Sequence, residues 1–409
     1  LHLFISLGLS SLELGSSLCR FEIEVEEMED DALDRDARIK LSIGTKQHGD
    51  ADGLFRLPQA LAFDHHRGLL FVLDFWNHRA QVFSCDDDDD DDDGSFVSKF
   101  GIGRFYYPEG IAIDHDHDRI LIADTGHHLV QLWSLSKQSF LSYVGKRGSG
   151  DLEFQYPHGI AIDKHHRRII IADSNNNRLM FLSSIDLSFL FCIGKQGSQP
   201  GDFSSPSGIA IDDDRHRIIV TDANNHRVQV LSLIDGSFLF EFGSRGDQSC
   251  QFNTARGVCI DNQGRIIVAD SINNRLQSFT HEGHHISSLD CGREKPSAVA
   301  FDEHRGLIAF TAGNRVHVIG ANQWLADTEF VWRPERHHRA PSWMKQAVST
   351  MTMIRSLVDD SSAMSMIPNE LLFEIFSHLE APSRIAPCDR SRKTTTKNKN
   401  KNKNNCTMM

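Results

Sequence analysis

The stretch YPHGIAIDKHHRRIIIADSNNNRLMFLSS, residues 156–184, holds three apolar runs separated by a basic turn and by a turn rich in asparagine. Relatives of it stand on both sides. Upstream lie LPQALAFDHHRGLLFVLDFWNHRAQVFSC at 57–85 and YPEGIAIDHDHDRILIADTGHHLVQLWSL at 107–135. Downstream lie SPSGIAIDDDRHRIIVTDANNHRVQVLSL at 205–233, TARGVCIDNQGRIIVADSINNRLQSFT at 254–280 and a weaker copy, KPSAVAFDEHRGLIAFTAGNRVHVIG, at 295–320. The proline recurs at Pro58, Pro108, Pro157, Pro206 and Pro296, with Ala255 in the fifth copy, at spacings of 50, 49, 49, 49 and 41 residues. A period of this length marks an array of equivalent units, each unable to bury its apolar face alone.

Each unit reads as a set of short strands. GIAID supplies the first, RIIIAD the second after a polar turn, and RLMFLSS the third. A fourth appears as SFLSYVG, SFLFCIG and SFLFEFG, alternating apolar and small residues up to a glycine. The second strand is apolar at successive positions, so both of its faces must be covered. Four strands repeated six times, without helices between, predict an all-β fold: a six-bladed β-propeller of four-stranded antiparallel blades, followed by a short α-helical C-terminal tail. The repeats fall near 55–100, 101–147, 148–196, 197–245, 246–290 and 291–320. The last lacks a fourth strand after RVHVIG, whereas RIKLSIG at 38–44 precedes the first copy with that pattern. Residues 38–44 are therefore expected to complete the last blade and close a propeller spanning 38–320.

The spacing P-x-G-I-A-I-D, then a turn, then I-x-x-A-D-S-x-N-x-R-[LVI]-Q resembles the NHL repeat, whose Asn-His-Leu positions are echoed by NNHRV and WNHRA. The second copy departs from it with Leu129 in place of arginine, the fifth lacks the proline, and the sixth loses the aspartate that ends its second strand. The resemblance implies a six-bladed propeller that serves as a binding platform for protein or RNA, with a few enzymes among its relatives.

Asp74, Asp124, Asp173, Asp222 and Asp270 each end a second strand and are expected to accept backbone N–H groups in the following turn. Asn77, Asn176, Asn225 and Asn273 suit a left-handed turn conformation, and Arg79, Arg178, Arg227 and Arg275 are placed to pair with neighbouring carboxylates. A catalytic group would be unique to one copy. These recur, so their expected role is structural.

The net charge of −13 falls to −5 once the eight consecutive aspartates at 86–93 are set aside. That run reads as a solvated low-complexity loop, since a homopolymer lacks the spaced ligands and glycine turn of a calcium site. Over 41–320 there are 26 basic against 37 acidic residues, or 29 without the run, so RNA binding is not favoured, although KHHRR at 164–168 forms a local basic patch. Twenty-two histidines include the pairs His65/His66, His127/His128, His165/His166, His284/His285 and His337/His338. Adjacent side chains diverge in extended chain, so no metal site is expected; DHDHD, Asp114 to Asp118, is the best candidate if one exists. The first strands are mostly apolar and nearly alike, with no assembled nucleophile and base, and GIGRF at 101–105 is too short for a phosphate loop. Hence no enzyme activity and no cofactor are expected, with a propeller hydrolase or lyase holding a channel metal as the runner-up beside RNA binding.

Eight well-separated cysteines without a CxxC pair read as reduced thiols of an intracellular, cytoplasmic protein. The apolar start LHLFISLGLSSLELGSSLC has no basic region before it and contains Glu13, so residues 1–37 read as disordered or as a mis-assigned start with Met28 as initiator. No apolar run reaches the length of about 18 residues that a membrane span needs, so none is expected.

Beyond 320 the period stops. Residues 321–366 read as a linker with one helix starting near Ser342. IPNELLFEIFSHL at 367–379 places Leu371, Leu372, Ile375, Phe376 and Leu379 on one helical face. With Pro368 and Glu370 it resembles the opening of an F-box at 367–380, which implies docking on a Skp1-type adaptor of a cullin ubiquitin ligase; a plain amphipathic helix is the alternative. Residues 381–409, ending KTTTKNKNKNKNNCTMM, read as a disordered basic tail whose composition fits a shifted reading frame. The whole reads as a non-catalytic interaction scaffold whose blade loops bind an unknown partner protein.

Overall fold

The computed structural model describes residues 38–85 and 94–325. The readings made for 1–37, for the aspartate run 86–93, and for the linker helix, the F-box-like segment and the tail lie outside the described residues. Within them the chain forms six four-stranded antiparallel sheets. Blade 1 comprises Pro58–Asp64, Leu69–Asp74, Arg79–Ser84 and Phe96–Phe100 in chain order. Blades 2 to 5 repeat that meander, with first strands at Pro108–Asp114, Pro157–Asp163, Pro206–Asp212 and Ala255–Ile260. Blade 6 takes Pro296–Asp302, Leu307–Ala312 and Arg315–Gly320, and its outer strand is Ile39–Gly44 from the other end of the ring. A short helix, Ala321–Leu325, follows.

The sequence pattern accounts for this order. The second strands are buried at nearly every position, as sheets covered on both sides require, whereas outer strands such as Phe189–Ile193 alternate between half-buried and exposed. Six apolar clusters form the core, each shared by two neighbouring blades; the one between blades 3 and 4 joins Phe181 and Ile170 to Phe203, Ile218 and Val220. The first strands line the axis, and register slips just after each leading proline or alanine, at one residue in blades 1 and 2 and at two in the others, as at His158 and Gly159. Glycine is needed there for space: a Cβ on Gly159 would meet the Ser207 carbonyl oxygen at 2.3 Å, and one on Gly208 the Arg256 oxygen at 2.4 Å. At the blade edge, Gly194 ends the outer strand at φ +88° and its bare Cα seats the fully buried ring of Phe203. Phe55, Phe105, Phe154 and Phe252 repeat that plug in the loops leading into blades 1, 2, 3 and 5.

The strands alternate direction, so the ring has two faces. On one, here the loop face, lie the loops leading into each first strand and the turns between second and third strands. On the other, the turn face, lie the turns between first and second strands.

Candidate binding face and channel mouth

On the loop face the repeated carboxylate organises each blade. Asp173 is fully buried; its Oδ1 accepts the Gln155 backbone N–H at 2.7 Å, and its Oδ2 accepts Asn176 Nδ2 and Arg178 Nε, both at 2.8 Å. Arg178 then donates to the carbonyls of Ser149, Gly150 and Glu153. Asp74, Asp222 and Asp270 make the same bonds to the N–H of Arg56, Ser204 and Asn253, to Asn77, Asn225 and Asn273, and to Arg79, Arg227 and Arg275. The backbone donor therefore belongs to the lead-in loop 17 or 18 residues upstream, not to the following turn as the sequence suggested. Each carboxylate ties a loop to its own blade. Burial pushes the carboxyls of Asp74 and Asp173 above the ordinary 3.8, against the N–H, amide and guanidinium groups that favour the charge.

Two blades solve the same problem differently. In blade 2, where Leu129 replaces the arginine, Asp124 accepts the Tyr106 N–H at 2.7 Å, His127 Nδ1 at 2.8 Å and Gln131 Nε2 at 2.5 Å. In blade 6, where Ala312 replaces the aspartate, Arg315 reaches Glu294 at 2.9 Å.

The left-handed residue of each turn is not the expected asparagine but the next one: His78, His128, Asn177, His226 and Asn274, with φ between 51° and 60°. Asn77, Asn176 and Asn225 lie inside a short 3₁₀ turn and Asn273 in a plain turn, and in each the side-chain amide is spent on the aspartate and a loop carbonyl. The left-handed side chains reach the next blade instead. Nδ1 of His78, His128 and His226 accepts the N–H of Tyr107, Tyr156 and Thr254, and Asn177 Oδ1 accepts that of Ser205. Asn314 Oδ1 accepts from Leu57 at 3.0 Å and so joins blade 6 to blade 1. At the junction of blades 5 and 6 the link is broken, and Asn274 Oδ1 is buried without a hydrogen-bond partner among the described residues. Burial lowers the pKa of His78, His128 and His226, as an Nδ1 that accepts an N–H requires.

A second ring of ties runs round the turn face. Asp114, Asp163 and Asp212 end first strands and pair with Arg119, Arg168 and Arg217, whose guanidinium groups reach the carbonyls of Ser184, Leu233 and His281 in the following blade. The sequence reading missed these residues, although their signal is plain. The aspartate and arginine stand five apart, as in the other ring, because they are the facing pair that closes each hairpin, Asp163 opposite Arg168 and Asp173 opposite Arg178. Of the metal candidate at 114–118, Asp114, His117 and Asp118 are taken up here: Asp114 holds His117 and Arg119, and Asp118 holds Ser134 and Ser136.

Unlike the ties, the channel mouth is not repetitive. The residue after the leading proline or alanine faces it, and the six are Gln59, Glu109, His158, Ser207, Arg256 and Ser297 around a cavity of about 90 Å³. His158 Nε2 lies 3.5 Å from Glu109 Oε2, its Nδ1 has no hydrogen-bond partner among the described residues, and Arg256 spans the ring to Gln59 Oε1 at 3.0 Å. The first strands are thus alike in their apolar positions and different in the one that matters to a ligand, a contrast the sequence reading overlooked.

The second departure is aromatic. Where blade 3 has Ser174 and Asn175, blade 1 has Phe75 and Trp76, and the lead-in loop of blade 2 supplies Tyr106 and Tyr107. Tyr107 is packed between Phe75 at 4.9 Å, Trp76 at 5.1 Å, Tyr106 at 4.4 Å and His78 at 4.6 Å, centroid to centroid. Arg56 lies over the Trp76 ring at 5.7 Å. Trp76 and Tyr106 remain 43% and 44% exposed.

The repeats are also recognised by comparison. The NHL repeat family matches residues 105–132, 154–179, 203–231 and 252–279. These segments are NHL repeats. They fall in blades 2 to 5, and blades 1 and 6 complete the NHL propeller. A structural-genomics protein of unknown function from Bacteroides thetaiotaomicron is 18% identical over 68% of this chain and 73% of its own, with a TM-score of 0.52. A gluconolactonase from Xanthomonas campestris is 14% identical over 66% and 87%, with a TM-score of 0.50. A gluconolactonase candidate from a structural-genomics consortium is 13% identical over 66% and 90%, at 0.51. At such identities the NHL propeller shares their fold. No curated protein matches the chain in sequence. Among the described residues no helix is long and apolar enough to cross a membrane.

Proposed function

We propose that this NHL propeller is a non-catalytic protein-binding platform whose contact surface is the aromatic cluster on the loop face of blades 1 and 2. The observation that carries the reading is the exposure of Trp76 and Tyr106 on a base made rigid by Phe75, Tyr107 and His78, with Arg56 alongside. Tryptophan, tyrosine and arginine are the side chains that dominate binding energy at protein interfaces, and a rigid base lowers the entropy lost on binding. The channel-mouth cavity of about 90 Å³ is well below the roughly 300–1,000 Å³ of small-molecule sites, which favours a macromolecular partner over a small substrate. The acidic balance of the ring favours a protein partner over RNA. Free thiols at Cys192, Cys250 and Cys259 fit a reducing, cytoplasmic setting.

The F-box resemblance at 367–379 gives the platform a purpose: the bound protein would be a substrate presented to a cullin ubiquitin ligase through a Skp1-type adaptor. Affinity capture from cells with the full chain, the Trp76→Ala/Tyr106→Ala variant and a version ending at Met364 tests both parts. The platform reading expects a set of proteins that the aromatic variant loses. The ligase reading expects Skp1 and a cullin that only the shortened version loses. Capture unchanged by the aromatic substitutions, RNA recovered in place of protein, or lactone hydrolysis by the purified chain that Glu109→Gln abolishes would overturn the platform reading.

A further inference from the structure

On the turn face the residue that follows each first-strand aspartate differs from blade to blade: His65, His115, Lys164 and Asp213 in blades 1 to 4, and Glu303 in blade 6. Three neighbouring blades gather imidazoles there. His65 and His66 of blade 1 do not diverge as adjacent residues in a strand would, because they sit in a turn fixed by Asp64, whose Oδ1 accepts the His66 N–H at 3.2 Å. Their ring centroids are 4.3 Å apart, and His115 of blade 2 lies 4.9 Å and 4.3 Å from them. His304 of blade 6 stacks on His65 at 4.5 Å, in a turn held by Asp302. Ligand atoms of His65, His66 and His115 lie within 4.8 Å of one another, as do those of His65, Glu303 and His304. The fully buried Asp64 carboxylate stands behind, its Oδ1 3.9 Å from His115 Nε2.

We propose that this cluster is a binding site for a zinc-class divalent metal ion, ligated by His65, His66 and His115, with Glu303 supplying the fourth position and His304 stacked on His65. Zinc bonds imidazole nitrogen at about 2.0–2.1 Å, so tetrahedral ligands stand about 3.4 Å apart. Rotation of exposed and half-buried turn side chains closes the gap from the observed separations. A set of neutral imidazoles with one carboxylate selects zinc, cobalt, nickel or copper over calcium or magnesium, which prefer all-oxygen sites. The Asp64 carboxylate, 3.9 Å from His115 Nε2, places negative charge behind the cluster, which favours a bound cation. The opposite half of the ring cannot substitute: Lys164 and Asp213 take the corresponding positions, and His165 and His216 are 6.3 Å apart.

The location gives such an ion a consequence. Blade 6 is closed without chain continuity, Arg315–Gly320 pairing with Ile39–Gly44. An ion shared by 303–304, 65–66 and 115 joins the late part of the chain to the early part across that seam, and so resists opening of the ring.

The test uses the full chain without a histidine tag, stripped with chelator. Zinc is titrated by calorimetry, cobalt by visible absorption, and unfolding is followed with and without zinc. The proposal expects one tight equivalent, cobalt bands of a tetrahedral site and a zinc-dependent rise in Tm. It expects His65→Gln/His115→Gln to weaken binding on the order of 100-fold, while His284→Gln/His285→Gln binds as the unaltered chain does. Binding that survives His65→Gln/His115→Gln, or no saturable equivalent in the unaltered chain, overturns it. Should that variant not fold, the zinc-edge X-ray absorption spectrum of the unaltered chain decides: multiple imidazoles near 2.0–2.1 Å support the site, and an all-oxygen shell overturns it.

Discussion

The junction between blades 3 and 4 and the junction between blades 1 and 2 share one backbone. In each, two left-handed residues face one another, Asn177 and Ser205 at φ 54° and 58° in the first, His78 and Tyr107 at 53° and 55° in the second. In each, the side chain of the former accepts the N–H of the latter, at 2.9 Å and 3.0 Å. Only the surroundings differ, small and polar at Ser174 and Asn175, aromatic at Phe75, Trp76 and Tyr106. Holding blades together thus uses a few atoms at fixed places and leaves neighbouring side chains free to vary. Whatever is specific to this protein sits where the repeat is broken.

The largest expected effect is at the ties. Asp173→Ala strands the Arg178 guanidinium and the Gln155 N–H, and should cost about 3–5 kcal/mol in urea unfolding. Asp124→Ala strands no arginine, because Leu129 stands opposite, and should cost about 1–3 kcal/mol. Equal losses would break the distinction between the blades. At the junctions, Asn177→Gly keeps the left-handed conformation but removes the acceptor, and should cost about 1 kcal/mol or more by leaving the Ser205 N–H unmet. His78→Asn keeps both features and should stay within about 0.5 kcal/mol of the parent.

The histidine junctions also predict a pH response that the asparagine junctions lack. The folded pKa of His78, His128 and His226 is lowered by burial below the ordinary 6.5, so the unfolded chain binds protons first as pH falls. Their contribution is therefore complete above 6.5 and is lost as pH drops through the lower folded values. Tm should decline over that window, and the triple His→Asn variant should decline less. An unchanged slope would show that these three residues do not carry the effect.

The blades themselves were legible in sequence because apolar positions dictate them: a second strand such as RIIIAD has no polar side to offer solvent. The polar residues were legible as a recurring set but not in their partners. A carboxylate at the end of a strand can take N–H groups from either side in space, and the loop 18 residues upstream of Asp173 comes close only once the sheet has formed. Asn176 and Asn177 were indistinguishable in a run of asparagines, and the 3₁₀ turn decided which became left-handed. The channel ring, and the gathering of His65, His66 and His115 into one cluster, escaped for a shared reason. Each is assembled from separate blades, one residue per blade in the channel ring and 65–66, 115 and 303–304 in the cluster, and exists only in the closed ring.

The most direct measurement sets both kinds of residue against both kinds of readout: Tm and cellular protein capture for Asn176→Ala/Asn177→Gly and for Trp76→Ala/Tyr106→Ala, each in the full chain. The account predicts a crossed result, in which the first variant loses Tm and, while folded, captures the same proteins, and the second keeps its Tm and loses them. A second variant that unfolds with the first, or a first variant that stays stable and loses the partners, would contradict the division of labour between repeated and departing residues.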